Sequence, residues 1–359
     1  GSRRVVLKIR HQPYRTNYVV VQATRLYALR HYQPAVTPTA PGPGRSTVLL
    51  VPPLMLTAEV YDIAPELSLA LWLCSQGHDV WLIDFGIPGQ PAPHSGSPEP
   101  IYEKDLVDHI VALSEAIDEM LAHGAQGVHL LGYSQGGMFA YQAAAYRRCK
   151  GVASVISMGS PVDFLSNLPG GVHRGIWSNM FQAGSDAIRR SASHLPQVSG
   201  RLSSLAFKLI SPRQELKHMT EMLRILDDEE ELKRIEPARR FLGGEGFIPW
   251  PGPALRAFVE EFIVHNRLMT GGLVIAGRTA SLADITVPVL YFIGGRDQVA
   301  RAESVRAIEK VLPHDACRGV VVDTGHLGLV VGTRAKKDVY PRVNDWLQAI
   351  AQGREPQVL

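Results

Sequence analysis

The feature that most constrains the fold of this chain is the Gly-Tyr-Ser-Gln-Gly segment at residues 132–136. An apolar run at residues 128–131 precedes it, and an alanine-rich segment of helical character follows it. A strand, a sharp turn and a helix in this order hold a serine in a strained backbone conformation, with its hydroxyl at the carboxyl end of a sheet. Gly132 and Gly136 stand where strand and helix approach too closely for larger side chains. The segment predicts a nucleophilic Ser134, and the alternative is a serine that only caps the helix.

Composition narrows the classes of protein to which the chain can belong. It has 359 residues, of which 45% are hydrophobic and 20% charged, as is ordinary for a globular protein. The net charge of +3 is too small to indicate a nucleic-acid partner, and no apolar run reaches the ~18–20 residues of a membrane span. Cys74, Cys149 and Cys317 are widely spaced, which indicates reduced thiols and a cytoplasmic location. Metal ligands do not cluster in the sequence, and we predict neither a metal nor a cofactor.

Alternating strand and helix patterns predict a mostly parallel sheet with helices on both faces. Strands are predicted at residues 5–9, 18–21, 26–32, 46–51, 78–84, 128–131, 152–158, 287–293 and 319–322. Helices are predicted at residues 68–76, 102–123, 138–145, 304–311 and 340–351.

This alternation stops between residues 165 and 282, where the pattern is mostly helical and rich in Met, Leu, Trp and Phe. We therefore predict a first part of the core at residues 1–164, an inserted helical cap or lid at residues 165–282, and a second part of the core at residues 283–359. The alternative for the inserted segment is a second domain with a structural role. Gly1-Ser2 resembles the remnant of a cleaved tag and residues 352–359 resemble the start of a linker, so we expect one domain of a longer protein.

Two loops near the C-terminus supply the partners that a nucleophilic serine needs. Its hydroxyl barely ionises at neutral pH, so it requires a nearby base, which in turn requires a carboxylate that orients it. Asp297 directly follows a predicted strand and His326 follows the last one, whereas His314 precedes that strand. The chain order Ser134, Asp297, His326 is that of the α/β-hydrolase fold, which is the fold class we predict. Asp163, after another strand, is the alternative acid.

Main-chain amides are predicted to stabilise the charge that develops on the substrate carbonyl oxygen. Gln135 directly follows the predicted nucleophile, and its amide is one expected donor. The second is expected in the loop after the strand at residues 46–51, where two prolines come first and cannot donate. Leu54 or Met55 is therefore the expected donor. The alternative is a proline-stiffened turn without a catalytic role.

From about Thr24 onwards, the chain resembles the catalytic domain of polyhydroxyalkanoate (PHA) synthases, which are acyltransferases of the α/β-hydrolase fold. Several segments together share their order and spacing with that family. They lie at residues 51–53, 76–80, 131–137, 162–164, 266–273, 282–289 and 325–327.

Two positions depart from the pattern of those synthases. They carry cysteine where this chain has Ser134, and usually histidine where it has Gln298. A thiolate suits repeated exchange between thioesters, whereas serine with a general base suits ester cleavage or a single acyl transfer. Cys149 lies in a basic turn after the helix and does not replace the thiol. An alternative origin of Ser134 is a cysteine exchanged for serine to trap substrate.

Synthase-like chains with serine at this position also resemble the lipase-like domains that are fused to long-chain acyl-CoA synthetases in lipid-storing actinobacteria. We expect a serine acyl-ester hydrolase or acyltransferase that acts on a lipid ester or acyl-CoA. Two alternatives are a PHA-type synthase or acyl-CoA thioesterase, and a non-catalytic lipid- or partner-binding domain. The resemblance also implies association with a membrane surface or lipid inclusion and a fused acyl-CoA synthetase domain, and it is compatible with a homodimer.

Overall fold

The computed structural model describes the chain in several ranges. They are residues 16–33, 45–91, 104–167, 245–313 and 315–356, the backbone of 197–198, and residues 237, 240 and 241. The predicted strand at residues 5–9, His314 and most of the predicted cap lie outside the described residues.

A mostly parallel sheet forms the centre of the described structure. Its strands are β1 (Tyr18–Ala23), β2 (Ala28–Tyr32), β3 (Thr47–Val51), β4 (Asp79–Asp84), β5 (Val128–Tyr133), β6 (Val152–Met158), β11 (Val289–Gly294) and β12 (Cys317–Val322). They lie in the order β1-β2-β4-β3-β5-β6-β11-β12. The β1–β2 and β2–β4 pairs are antiparallel and the other pairs are parallel. The predicted architecture is therefore confirmed.

Short strands and helices complete the described elements. The strands are β7 (Gln197–Val198), β8 (Trp250–Pro251), β9 (Leu273–Ile275) and β10 (Arg278–Ala280). The helices are α1 (Leu69–Ser75), α2 (Leu106–Ala122), α3 (Gln135–Tyr146), α4 (Gly252–Phe258), α5 (Ala302–Arg306) and α6 (Tyr340–Ala351). Within the described ranges, every helix is either too short or too polar to span a bilayer.

Strand β3 shows why an unbroken apolar run becomes a central strand. Successive side chains of a strand point to opposite faces, so both faces of a sheet covered by helices need apolar residues. Leu49 and Val51 pack into the cluster that includes residues of α2 and α3. Val48 and Leu50 pack on the other face, with residues of α1 and α6. All four are fully buried, and each contributes about 1.5–3 kcal/mol of hydrophobic stabilisation.

The chain leaves the sheet after β6, and hydrogen bonds tie this departing segment to Asn266, which precedes β9. Asn266 Nδ2 donates to Asp163 Oδ1 at 2.9 Å, and the Phe164 amide donates to Asn266 Oδ1 at 3.0 Å. Asn266 has φ of 49°, a left-handed conformation that asparagine tolerates better than most residues. The predicted boundaries at residues 164 and 282 remain predictions, but the last part of the inserted segment packs into the core through Phe262 and Leu273.

Two neutral histidines in the core make the stability of the fold depend on pH. His109 and His129 are buried, and burial lowers the pKa of each to about 3. An unfolded histidine has a pKa of about 6.5, so below that pH the unfolded chain binds protons that the folded chain does not. The stabilisation is thus complete above pH 6.5 and is lost as the pH falls towards 3. Between pH 7 and pH 5 we expect the free energy of unfolding to decrease by roughly 2 kcal/mol per histidine.

Denaturant unfolding at the two pH values measures this decrease. His129→Gln should remove about half of the pH dependence that the pair contributes. Equal free energies of unfolding at pH 7 and pH 5 in the unmodified protein would contradict the assignment.

Candidate active site

Ser134 occupies the sharp turn between β5 and α3. Its backbone has φ 55° and ψ −122°, a conformation that costs a non-glycine residue free energy and that the surrounding structure must impose. A Cβ on Gly136 would lie 1.9 Å from the Val51 carbonyl oxygen, and a Cβ on Gly132 would lie 2.3 Å from the Gly136 carbonyl carbon. The Ser134 side chain makes no capping hydrogen bond to α3, so the alternative of a simple helix cap is wrong.

His326 and Asp297 form a continuous hydrogen-bonded chain with Ser134. His326 Nε2 lies 2.9 Å from Ser134 Oγ, and His326 Nδ1 lies 2.6 Å from Asp297 Oδ2. Asp297 Oδ1 accepts the amides of Val299 and Ala300 at 2.8 and 2.9 Å. Since a carboxylate can only accept, His326 Nδ1 carries the proton and Nε2 presents its lone pair to the serine hydroxyl. This arrangement is the one that a general base requires.

The loops that carry the acid and the base leave adjacent strands and are tied to each other. The Gly295 amide donates to Val322 O at 2.8 Å, and the Arg296 amide donates to Thr324 O at 3.0 Å. Because β11 and β12 are parallel neighbours, their carboxyl ends present both loops at the edge of the sheet where β5 presents Ser134.

The alternative acid, Asp163, has different partners. Its carboxylate accepts hydrogen bonds from Asn266 Nδ2, the Ser166 hydroxyl and the Leu165 amide. Burial alone would raise the pKa of Asp163, but these hydrogen bonds outweigh burial and lower it. Asp163 thus stabilises the loop where the chain leaves the sheet, and the carboxylate that contacts His326 is that of Asp297.

The main-chain amides expected to donate to the oxyanion differ in whether they already have a hydrogen-bond acceptor. Gln135 begins α3, so its amide has no acceptor within the helix. The Leu54 amide donates to the side-chain oxygen of Gln135 at 3.0 Å, and is therefore already engaged. The Met55 amide makes no hydrogen bond to another described residue. Of the two loop amides that the sequence left open, only that of Leu54 therefore has an acceptor among the described residues, and the choice of Met55 as donor stays a prediction.

A small pocket opens on Ser134 and His326. Its walls are otherwise apolar or aromatic, and are formed by Pro53, Met55, Leu56, Tyr133, Phe241, Phe247 and Leu327. Phe241 and Phe247 belong to the inserted segment. Main-chain hydrogen bonds hold this segment on the loop after β3, from the Thr57 amide to Gly246 O at 2.8 Å and from the Ile248 amide to Met55 O at 3.1 Å.

Two tyrosines at the site were not predicted from the sequence. The Tyr61 hydroxyl donates to Val51 O at 2.7 Å and accepts the Tyr133 amide at 2.8 Å, so it joins the ends of β3 and β5. The Tyr133 ring lies beside the His326 ring, with their centroids 5.0 Å apart. The only sequence signal for Tyr133 was its place directly before the predicted nucleophile.

Comparison with known proteins places this geometry in a family. A family model described as alpha/beta hydrolase fold matches residues 47–333, which is most of the chain. The chain belongs to the α/β-hydrolase family. The chain is 27% identical over 337 residues to the poly(3-hydroxyalkanoate) polymerase subunit PhaC of Allochromatium vinosum. This alignment covers 91% of this chain and 87% of that protein. The predicted resemblance to PHA synthases is thereby confirmed.

A further relative and two solved structures are similar to most of this chain. The Cupriavidus necator polymerase subunit PhaC is 25% identical over 350 residues, which cover 92% of this chain but 54% of that protein. A soluble variant of monoglyceride lipase from Saccharomyces cerevisiae superposes with a TM-score of 0.55 at 13% identity, covering 96% of this chain and 97% of that one. A monoacylglycerol lipase from Paleococcus ferrophilus superposes with a TM-score of 0.51 at 16% identity. The superposition covers 85% of the present chain and 97% of the lipase. At these identities the two structures support the fold alone.

Proposed function

We propose that this α/β-hydrolase is a serine acyl-ester hydrolase or acyltransferase of lipid metabolism that works through an acyl-enzyme. The observation that carries the proposal is the hydrogen-bonded chain from Ser134 Oγ through His326 to Asp297, with distances of 2.9 and 2.6 Å. The apolar pocket beside the serine supports an acyl group as the bound part of the substrate.

The proposed reaction follows from the positions of these atoms. His326 Nε2 takes the hydroxyl proton as Ser134 Oγ attacks the ester carbonyl, and Asp297 stabilises the imidazolium that forms. The amides of Gln135 and Met55 donate to the oxyanion of the tetrahedral intermediate. The intermediate collapses when His326 returns the proton to the departing alcohol, which leaves an acyl ester on Ser134. Water or an acceptor alcohol then releases the acyl group by the same steps in reverse.

Covalent labelling by a fluorophosphonate tests the nucleophile. The unmodified protein should be labelled with one phosphonyl group, and Ser134→Ala should abolish labelling and ester hydrolysis together. Ser160→Ala is a control at a second serine near the site, because Ser160 is buried and follows Gly159, which lies close to the His326 ring. We expect this control to be labelled normally. Labelling that persists in Ser134→Ala would remove the nucleophile assignment.

A second candidate function, acyl transfer from or hydrolysis of acyl-CoA, is favoured by the similarity to the poly(3-hydroxyalkanoate) polymerase subunits. Lipid esters and acyl-CoAs assayed side by side, with Ser134→Ala as the blank, separate it from ester hydrolysis. A non-catalytic binding domain would release no product from either and would resist labelling. Membrane or inclusion association, dimerisation and fusion to an acyl-CoA synthetase domain remain predictions.

A further inference from the structure

The side chain of Asn167 bridges the segment that leaves the sheet after β6 and the loop that carries the proposed acid. Asn167 Nδ2 donates to Val299 O at 2.7 Å, and the Arg301 amide donates to Asn167 Oδ1 at 2.8 Å. The partners lie 132 and 134 residues away in the sequence, so these are tertiary contacts. A side-chain amide has both a donor and an acceptor, and here it pairs with the main chain as a neighbouring peptide would.

The peptide unit between Val299 and Ala300 joins Asn167 to Asp297. Its carbonyl oxygen accepts from Asn167 Nδ2 at 2.7 Å, and its amide donates to Asp297 Oδ1 at 2.9 Å. This unit is trans and planar, so its C=O and N–H point in opposite directions, and a donor that fixes the carbonyl also fixes the direction of the amide. A hydrogen bond at the carbonyl also polarises the unit and strengthens the bond that its amide donates.

The Asp297 carboxylate needs a fixed orientation for the proposed reaction. Its Oδ2 lies 2.6 Å from His326 Nδ1, and its Oδ1 accepts the amides of Val299 and Ala300 at 2.8 and 2.9 Å. The terminal torsion of an aspartate is soft, so neighbouring groups must hold the carboxylate plane. Rotation of that plane would break both amide contacts. The orientation of the carboxylate therefore depends on how firmly the peptide that follows Val299 is held.

The turn in which Asn167 lies is itself fixed to the core. The Asn167 amide donates to Phe164 O at 3.2 Å, and Asp163 Oδ1 accepts the Leu165 amide at 3.1 Å. The Asp163 amide donates to Ser304 O at 3.2 Å. Ser304 belongs to α5, the helix that the acid loop enters. Asn167 thus holds the acid loop from a support that is attached to the end of that loop.

We propose that Asn167 is a positioning residue for the Asp297 carboxylate and, through it, for His326. Asn167 holds the Val299–Ala300 peptide, which holds Asp297 Oδ1. Asp297 Oδ2 in turn orients His326. The inference rests on the proposed function, because it takes Asp297 as the acid of the reaction. Asn167 is not among the described residues that line the pocket at the nucleophile, so we expect it to affect kcat and not KM.

Steady-state hydrolysis of a short aryl ester by Asn167→Ala tests the proposal. We expect kcat to fall about five- to thirtyfold, as when a hydrogen bond to a charged group is weakened, while KM changes by less than about twofold. Asn344→Ala is the matched control, because Asn344 is also half-buried and its side chain makes two hydrogen bonds, to His78 and Gln348. His78 precedes β4, at the end of the sheet opposite to Ser134. This variant should retain kcat, and denaturant unfolding compares the stability that the two variants lose.

A double-mutant cycle with Asp297→Ala separates positioning from a general loss of structure. If Asn167 acts through the carboxylate, Asn167→Ala should change kcat by less than about twofold once the carboxylate is absent. Asn167→Asp is a second test, because at neutral pH its carboxylate keeps an acceptor for the Arg301 amide but has no donor for Val299 O. We expect its kcat to fall as far as that of Asn167→Ala.

Several results would overturn the proposal. They are an unchanged kcat in Asn167→Ala while Asp297→Asn lowers it, an equal loss of kcat in Asn344→Ala, and a full effect of Asn167→Ala in the absence of the Asp297 carboxylate. Normal activity of Asn167→Asp would show that the shape of the side chain is sufficient, and would also overturn it.

Hydrogen exchange of the Ala300 amide, measured by NMR, distinguishes failure of this inference from failure of the proposed function. Asn167→Ala should accelerate the exchange about tenfold or more, and Asn344→Ala should leave it at the parent rate. Unchanged exchange in Asn167→Ala would mean that Asn167 does not hold this peptide, and would overturn the inference whatever the activity. Faster exchange in a protein that hydrolyses no ester would overturn the proposed function and leave Asn167 as a support of the Asp297 loop alone.

Discussion

Replacing Asp297 with asparagine should lower kcat for ester hydrolysis by about 10⁴-fold, as expected when a triad carboxylate becomes an amide. An amide can donate to His326 Nδ1, which favours the tautomer whose proton faces Ser134 and cannot accept the serine proton. The amide oxygen can still accept the Val299 and Ala300 amides, so the loop should keep its conformation. Steady-state hydrolysis of a short aryl ester measures the loss, and denaturant unfolding checks that the fold is retained.

Asp163→Asn is the matched control, because it makes the same chemical change in the alternative acid. Asp163 accepts hydrogen bonds from Asn266, Ser166 and the Leu165 amide, so this variant should lose stability. Its kcat should stay within a few-fold of the unmodified value. The opposite outcome, a large loss of kcat in Asp163→Asn and a small one in Asp297→Asn, would transfer the role of the acid to Asp163.

The architecture could be predicted because its signals are local in the sequence. The apolar run that forms β3 and the glycines around Ser134 each specify a conformation through neighbouring residues. The chain order of nucleophile, acid and base in the α/β-hydrolase fold then predicts which distant residues meet, because the acid and the base follow strands that lie near β5 in the sheet. The structure brings Ser134, Asp297 and His326 into hydrogen-bonding contact, although 192 residues separate the serine from the histidine. Their roles in catalysis remain predictions.

Other features of the site depend on tertiary packing that a single sequence does not encode locally. The choice between Leu54 and Met55 as oxyanion donor rests on the Gln135 side chain, which folds back to accept the Leu54 amide across 81 residues. The link between Asp163 and Asn266 likewise spans 103 residues. Neither residue pair has a spacing or a motif that could have revealed it.

The close packing at the start of α3 leads to the second large expected effect, in Gly136→Ala. An added Cβ would lie 1.9 Å from Val51 O and 2.8 Å from the Val51 carbonyl carbon. These atoms belong to the main chain at the end of a central strand, so neither can rotate away as a side chain could. We expect the free energy of unfolding to decrease by more than about 3 kcal/mol, which is at or beyond the upper end of ordinary overpacking. Denaturant unfolding of the purified variant measures the change.

Gly127→Ala, just before β5, is the control that separates this overlap from a general effect of replacing glycine. Its added Cβ would lie 3.3 Å from the Ala153 Cβ, and small shifts of a side chain and the adjacent backbone relieve that contact. The free energy of unfolding should therefore change by less than about 1 kcal/mol, partly offset by the reduced entropy of the unfolded chain. If Gly136→Ala were as stable as Gly127→Ala, the helix could move away from Val51 at little cost. The tight turn that orients Ser134 would then not depend on a glycine at this position.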